Sequence, residues 1–153
     1  MLRTGRPIGT IVDLTHLNWL AILAATVAAF IAGGIWFGPK TFFPVWWKLM
    51  GKDPAAVPGA GSNMAVVFGS TAVAAFVEAV SVAVVISFVA PATPGFGPLQ
   101  GALTGFLLGI GLAAASSLSH RLFAGVGFRV WLIEVSSDVL NLTIMGLIIG
   151  SWR

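Results

Sequence analysis

The sequence contains no cysteine among its 153 residues. This absence excludes a disulfide framework, a thiolate metal site and a cysteine nucleophile. Charged residues are also scarce, at 8% of the chain, whereas a typical soluble domain carries about 25%. Water cannot solvate a surface this poor in charge, and a disordered chain needs high charge and low hydrophobicity. Both a soluble globular domain and a disordered chain are therefore excluded.

Apolar residues make up 58% of the chain, and its mean hydropathy is +0.99. A membrane-spanning helix needs about 20 mostly apolar residues to cross the hydrocarbon layer. Four runs meet this requirement: residues 18–37, 64–90, 99–123 and 131–152. The sequence therefore predicts an all-α integral membrane protein, in which residues 1–153 form one domain built as a bundle of four transmembrane helices.

Proline and tryptophan mark the ends of these runs. All eight prolines fall outside them, as expected for a residue that breaks helices. Every tryptophan lies at a predicted boundary between water and lipid, where the amphipathic indole is most stable: Trp19, Trp36, Trp46, Trp47, Trp131 and Trp152. Residues 41–50 carry apolar side chains at three- and four-residue spacing, which predicts a short helix lying in the interface. The alternative is a loop whose aromatic side chains merely touch the bilayer.

The formal net charge is +3, and the sequence has eight basic residues. They are Arg3, Arg6, Lys40, Lys48, Lys52, Arg121, Arg129 and Arg153. They are scattered between the apolar runs, so we expect membrane lipids with anionic headgroups as partners and no nucleic acid. Five of the eight lie on the side of the first and third loops: Lys40, Lys48, Lys52, Arg121 and Arg129. The positive-inside rule therefore favours these loops in the cytoplasm and both termini outside it.

Two runs carry small residues at four-residue spacing, which lets membrane helices approach closely. In the third run they are Gly101, Gly105, Gly109, Ala113 and Ser117. In the first run they are Ala21, Ala25, Ala29 and Gly33. The stripes indicate either packing within the bundle or a homodimer interface. Because four small helices bury little surface, we expect a homo-oligomer or a subunit of a larger membrane complex.

Acidic residues lie inside the apolar runs. Glu78 is at the centre of the second run, where a carboxylate costs several kcal/mol unless it is paired, protonated or hydrated. We expect it to point into the bundle. In the fourth run Glu134, Asp138 and Asn141 follow at i, i+4 and i+7, and so share one helix face. Arg121, at the end of the third run, is expected to reach Glu134 or Asp138.

Two interpretations of these side chains stay open. In the structural one, Arg121 forms a clamp with Glu134 or Asp138, and a neutral Glu78 hydrogen-bonds to Asn141 or to a serine. In the functional one, Glu78, Asp138 and Asn141 form a polar track for protons or cations. Together with Arg121 and Glu134, these side chains and the neighbouring His120 are the candidate polar site.

No catalytic or metal-binding pattern is present in the sequence. His16 and His120 are expected at the membrane interface rather than on a metal, because no spacing of His, Asp and Glu matches a known metal site. A nucleophile elbow, a phosphate-binding glycine loop and a zinc-protease motif are all missing. We therefore expect a protein that is not an enzyme and has no cofactor.

Short motifs near both ends of the chain carry a family resemblance: Asn18-Trp19, residues 34–39, Trp46, residues 49–51, residues 122–123, residues 131–133 and residues 146–152. Through them the chain resembles a bacterial family of small four-helix membrane proteins, the domain of unknown function seventeen-sixty-one. The resemblance implies a four-helix fold in the bacterial inner membrane. It implies no catalytic or binding residue.

Three functions are compatible with these patterns. The first is a small proton- or cation-linked transporter or channel that uses Glu78, Asp138 and Asn141. The second is a non-catalytic accessory subunit that stabilises a larger membrane complex through its small-residue helix faces. The third is binding of a lipid or another hydrophobic small molecule between the helices.

Overall fold

A computed structural model describes residues 14–56 and 59–152 of the chain, so that Arg3, Arg6 and Arg153 lie outside the described residues. The described part is all-helical and contains no strand, which confirms the predicted fold class. Its helices are α1 (Trp19–Trp36), α2 (Phe43–Leu49), α3 (Met64–Val89), α4 (Pro98–Phe123) and α5 (Phe128–Ser151). All of them except the short α2 are long and apolar enough to cross a membrane.

Two helix starts differ from the predicted limits. α5 begins at Phe128, three residues before the predicted start, so Trp131 lies in its first turn. α4 begins with Pro98, a proline that was expected outside the helix. Proline is tolerated at the first helical position because the N–H that it lacks has no partner within the helix.

The connection from α1 to α2 is a tight, hydrogen-bonded turn. The Thr41 hydroxyl donates to the Trp36 carbonyl oxygen at 2.7 Å and accepts a hydrogen bond from the Gly38 amide at 3.0 Å. Trp36 stacks on Phe42, with their ring centroids 4.3 Å apart. These contacts place α2 directly beside the end of α1, so the predicted interfacial segment is a short helix held against the bundle.

The four long helices run antiparallel, so α1 and α4 end on the side where α3 and α5 begin. We call this side the loop end, because it carries residues 37–56, 59–63 and 124–127, and we call the opposite side the terminal end. The apolar core is closest to the terminal end. It is formed by buried side chains of α1, α3 and α5: Ala21, Ile22, Ala25, Ala29, Ala79, Val82, Ala83, Ile86, Leu142, Met145 and Ile149.

α3 packs unevenly along its length. Its buried side chains all come from its second half, whereas residues 64–71 are exposed. Towards the loop end, α3 therefore packs loosely on the bundle, and a groove lies on each side of it.

α4 packs on α5 at very short range. A Cβ atom added to Gly101 would overlap the Gly146 carbonyl oxygen, and one added to Gly105 would overlap the Leu142 carbonyl oxygen. Further along the same stripe, Ala113 packs against the apolar core, and Ser117 accepts a hydrogen bond from an α5 tryptophan. The stripe that was offered as a possible homodimer interface is thus occupied by α5 of the same chain.

The middle of α4 is not a regular α-helix. Residues Gly109–Ala114 form a π-helical segment, which the sequence patterns did not predict. Such segments insert an extra residue into the helical turn and are frequent at functional sites. Beyond it, residues 115–123 contribute no buried side chain.

Candidate polar groove

A groove with a volume of about 530 Å³ lies between α1, α3 and α5. Its polar groups are the carboxyl groups of Glu78 and Asp138, the Asn141 amide, and the hydroxyl groups of Thr71 and Ser137. The other lining residues are apolar or small: Ala29, Phe30, Gly33, Gly34, Phe37, Val67, Phe68, Ala74, Ala75 and Met145. The groove therefore combines an apolar wall with a small set of polar groups.

The two carboxyl groups come from the middle of two different helices. Glu78 is the fifteenth of the 26 residues of α3, and Asp138 is the eleventh of the 24 residues of α5. Within the described residues, neither carboxyl group has a hydrogen-bond or ion-pair partner. The hydrogen bond from Glu78 to Asn141 or to a serine, which the structural interpretation required, is not formed in this part of the chain.

Asn141 adds an unsatisfied acceptor to the same groove. Its Oδ1 atom is buried and has no hydrogen-bond partner in the described residues. Leaving a buried polar atom unsatisfied costs about 1–3 kcal/mol. A ligand or water that donates a hydrogen bond here would recover that free energy. Asn141 stands next to Gly33 of α1, where an added Cβ atom would lie 3.5 Å from the amide nitrogen.

Glu134 serves a different purpose from the other two membrane acids. Its Oε2 atom lies 3.0 Å from Nε of Arg121, and its Oε1 atom accepts a hydrogen bond from Nε1 of Trp46 at 3.1 Å. Nε1 of Trp36 donates to the neighbouring Ile133 carbonyl oxygen at 3.1 Å. Of the two acids offered to Arg121, the ion-pair partner is thus Glu134, and this cluster ties α1, α2 and α4 to α5 at the loop end.

The tryptophans lie near the ends of the long helices or in α2, and several of their indole N–H groups donate hydrogen bonds within the protein. Nε1 of Trp131 donates to the Ser117 hydroxyl at 3.1 Å, and Nε1 of Trp47 donates to the Asp53 carbonyl oxygen at 2.8 Å. At the terminal end two tryptophans are exposed: Trp19 and Trp152. The indoles at the loop end therefore hold the helix ends together as well as facing the expected membrane boundary.

The histidines do not join the groove. His120 is exposed on the last turn of α4, and His16 is exposed before α1. In the described part of the chain, no group of three or more His, Cys, Asp or Glu residues is placed to hold a metal ion.

Sequence reasoning missed several residues of the groove. Ser137 is 3% exposed and lies beside Asp138. Thr71 precedes Glu78 by seven residues, so helical spacing alone places both on one face. The two phenylalanines of the groove wall could not be paired from the sequence. Phe30 and Phe68 meet edge to face, with their ring centroids 6.5 Å apart, which only the pairing of α1 with α3 brings about.

Glu78 also borders a second groove, on the other side of α3. This groove has a volume of about 470 Å³ and lies between α3 and α4. Besides Glu78, its polar lining residues are Ser81 and Ser116, and Gly111 of the π-helical segment leaves part of its wall open. Glu78 therefore borders a groove on each side of α3, and its side chain is exposed rather than turned into the packed interior as expected.

The comparisons with known proteins identify one family. A family model described as "Protein of unknown function (DUF1761)" matches residues 20–150, which is most of the chain. No curated protein and no solved structure matches the chain.

Proposed function

Because the chain belongs to the DUF1761 family, whose activity is not established, we propose a function from the groove itself. The protein binds a cation with a large apolar part and exchanges this cation for protons at Glu78 and Asp138. The observation that carries the proposal is the pair of unpartnered carboxyl groups in one apolar groove. Both belong to helices that are long and apolar enough to cross a membrane.

The electrostatic argument starts from the cost of charge inside a membrane. A carboxylate at mid-depth is costly unless a counter-ion or a proton neutralises it. Among the described groove residues no basic side chain is present, so Glu78 and Asp138 need either protons or an external cation. A cation and protons then compete for the same oxygen atoms, and this competition links ligand binding to proton release.

The size and walls of the groove favour an organic cation over an inorganic one. Sites for drug-sized ligands have volumes of about 300–1,000 Å³ and mostly apolar walls, and the groove falls within this range at about 530 Å³. The rings of Phe30 and Phe68 add faces that attract cations. An uncharged hydrophobic ligand is the competing candidate, which the same apolar walls favour.

Carboxyl substitutions separate these two candidates. We expect Glu78→Gln and Asp138→Asn each to weaken binding of tetraphenylphosphonium in lipid nanodiscs by at least about tenfold, or about 1.4 kcal/mol. An uncharged hydrophobic ligand of similar size should bind both variants as it binds the wild type. Unchanged affinity for the cation in both variants would refute the proposal.

Proton competition gives a second measurement on the same system. Affinity for the cation should fall as the pH is lowered, and binding in weak buffer should release protons. Glu78 and Asp138 both line the groove, and the Arg121–Glu134 pair lies one turn beyond Asp138. α1 contributes no titratable group to the groove lining. Affinity that does not change with pH would contradict the exchange mechanism.

The glycines of the chain allow matched steric tests. A Cβ atom at Gly34, Gly69 or Gly111 would meet nothing within 4 Å, so a side chain can leave the backbone at each position without a clash at its first atom. Gly34→Leu fills the polar groove and should abolish cation binding, whereas Gly69→Leu, which lies outside both grooves, is the control. Gly111→Leu fills the second groove, which lacks Asp138, and should leave the affinity unchanged. Equal binding by Gly34→Leu and Gly69→Leu would show that the ligand sits elsewhere.

A further inference from the structure

The loop end carries a concentration of unpaired positive charge. Lys40, Lys48, Lys52 and Arg129 are exposed, and none of them has an ion-pair partner in the described residues. Outside the membrane helices, the described part of the loop end holds one acid, Asp53. Three of these basic residues lie between α1 and α3, and the fourth, Arg129, lies in the first turn of α5. The antiparallel order of the helices brings both segments to the same end of the bundle.

The aromatic side chains of α2 indicate how deep this end of the bundle lies relative to the lipid headgroups. The side chains of Phe43, Trp46 and Trp47 are partly buried against the bundle, while Lys48 is exposed. The hydrogen bond from Trp46 to Glu134 fixes the helix on α5. Because indole rings are most stable at the level of the lipid headgroups, the basic side chains around this helix stand at the same level.

We propose that the basic platform, formed by Lys40, Lys48, Lys52 and Arg129, binds the headgroups of anionic phospholipids. The charges are complementary, and each lysine or arginine near an anionic membrane surface strengthens the attraction about fivefold. The hydrogen bond between Trp46 and Glu134 holds α2, and with it the backbone of Lys48, in place before a lipid arrives, which lowers the entropic cost of binding. This inference is independent of the ligand proposed for the polar groove.

Lipid selectivity tests the platform directly. Replacing Trp19 and Trp152 by phenylalanine leaves the four tryptophans of the loop end as the fluorescent reporters. In liposomes, quenching by brominated phosphatidylglycerol is compared with quenching by brominated phosphatidylcholine. We expect a preference for phosphatidylglycerol that weakens at high salt, because ions screen surface charge.

Substitution of the lysines gives the decisive comparison. Lys40→Gln, Lys48→Gln and Lys52→Gln combined should lower the preference for phosphatidylglycerol at least about fivefold. The matched variant with arginine at the same three positions should keep it. A glutamine variant that retains its helical circular dichroism and the full lipid preference overturns the proposal. Loss of the preference in the arginine variant overturns it as well, because charge would then not be the cause.

Discussion

We predict that Gly105→Ala destabilises the bundle, although alanine is the better helix former. In an unconstrained helix this substitution stabilises by about 0.5–1 kcal/mol. At Gly105, however, the new Cβ atom would overlap the Leu142 carbonyl oxygen. That oxygen belongs to the backbone of α5, so no rotation of a side chain can relieve the overlap.

The neighbouring Gly109 sets a scale for the required movement. A Cβ atom there would lie 2.8 Å from the Val139 Cα atom, whereas ordinary contacts begin at 3.4 Å. α5 would therefore have to move by about 0.6 Å at Gly109, and by more at Gly105. Overpacking of this kind costs about 1–3 kcal/mol. Membrane helices associate through close packing rather than the hydrophobic effect, so we expect a net loss of about 1–2 kcal/mol for Gly105→Ala.

Titration with sodium dodecyl sulfate, followed by tryptophan fluorescence, measures this loss as a change in the free energy of unfolding. Gly69→Ala is the matched control, since its Cβ atom would meet nothing within 4 Å, and its effect should be close to zero or slightly stabilising. If Gly105→Ala proved as stable as Gly69→Ala, the result would refute the close contact between α4 and α5 at this position.

Two further predictions concern the helix ends. Asn18 accepts a hydrogen bond from the Ala21 amide and donates one to the Trp152 carbonyl oxygen, so Asn18→Ala should cost about 1 kcal/mol of stability in the same titration. Asn18→Asp keeps the acceptor and should recover part of this loss, and full stability of Asn18→Ala would contradict both bonds. Trp46→Phe keeps the ring but removes the donor to Glu134, which should cost about 1.5 kcal/mol and increase cleavage of the α2 region by protease. Unchanged protection would show that this bond does not hold α2.

Several features of the fold follow from local rules. The number of membrane helices, their approximate limits and the interfacial segment all came from runs of apolar residues and from the positions of proline and tryptophan. Glu78 and Asp138 were also recognisable, because a carboxyl group inside an apolar run is unusual wherever the neighbouring helices lie.

Local rules could not show which of two similar residues makes a given contact. Glu134 and Asp138 are one helical turn apart on the same face, so spacing alone cannot decide which of them pairs with Arg121. The positions of α4 and α5 along the bundle axis determine the partner, because they place Arg121, near the end of α4, level with Glu134. Gly101 and Gly105 likewise permitted contact with any helix, and the fit to α5 determines their partner.

The sequence by itself determined that this chain forms four helices long and apolar enough to cross a membrane. Hydrocarbon admits only apolar side chains and backbone whose hydrogen bonds are satisfied within the segment, and both conditions can be checked one segment at a time. Only the tertiary structure decided that the first half of α3 packs loosely and stays exposed, and that Glu78 and Asp138 share a groove. These features depend on the shapes of surfaces that are remote in sequence, because close packing, unlike hydropathy, is a property of pairs of helices.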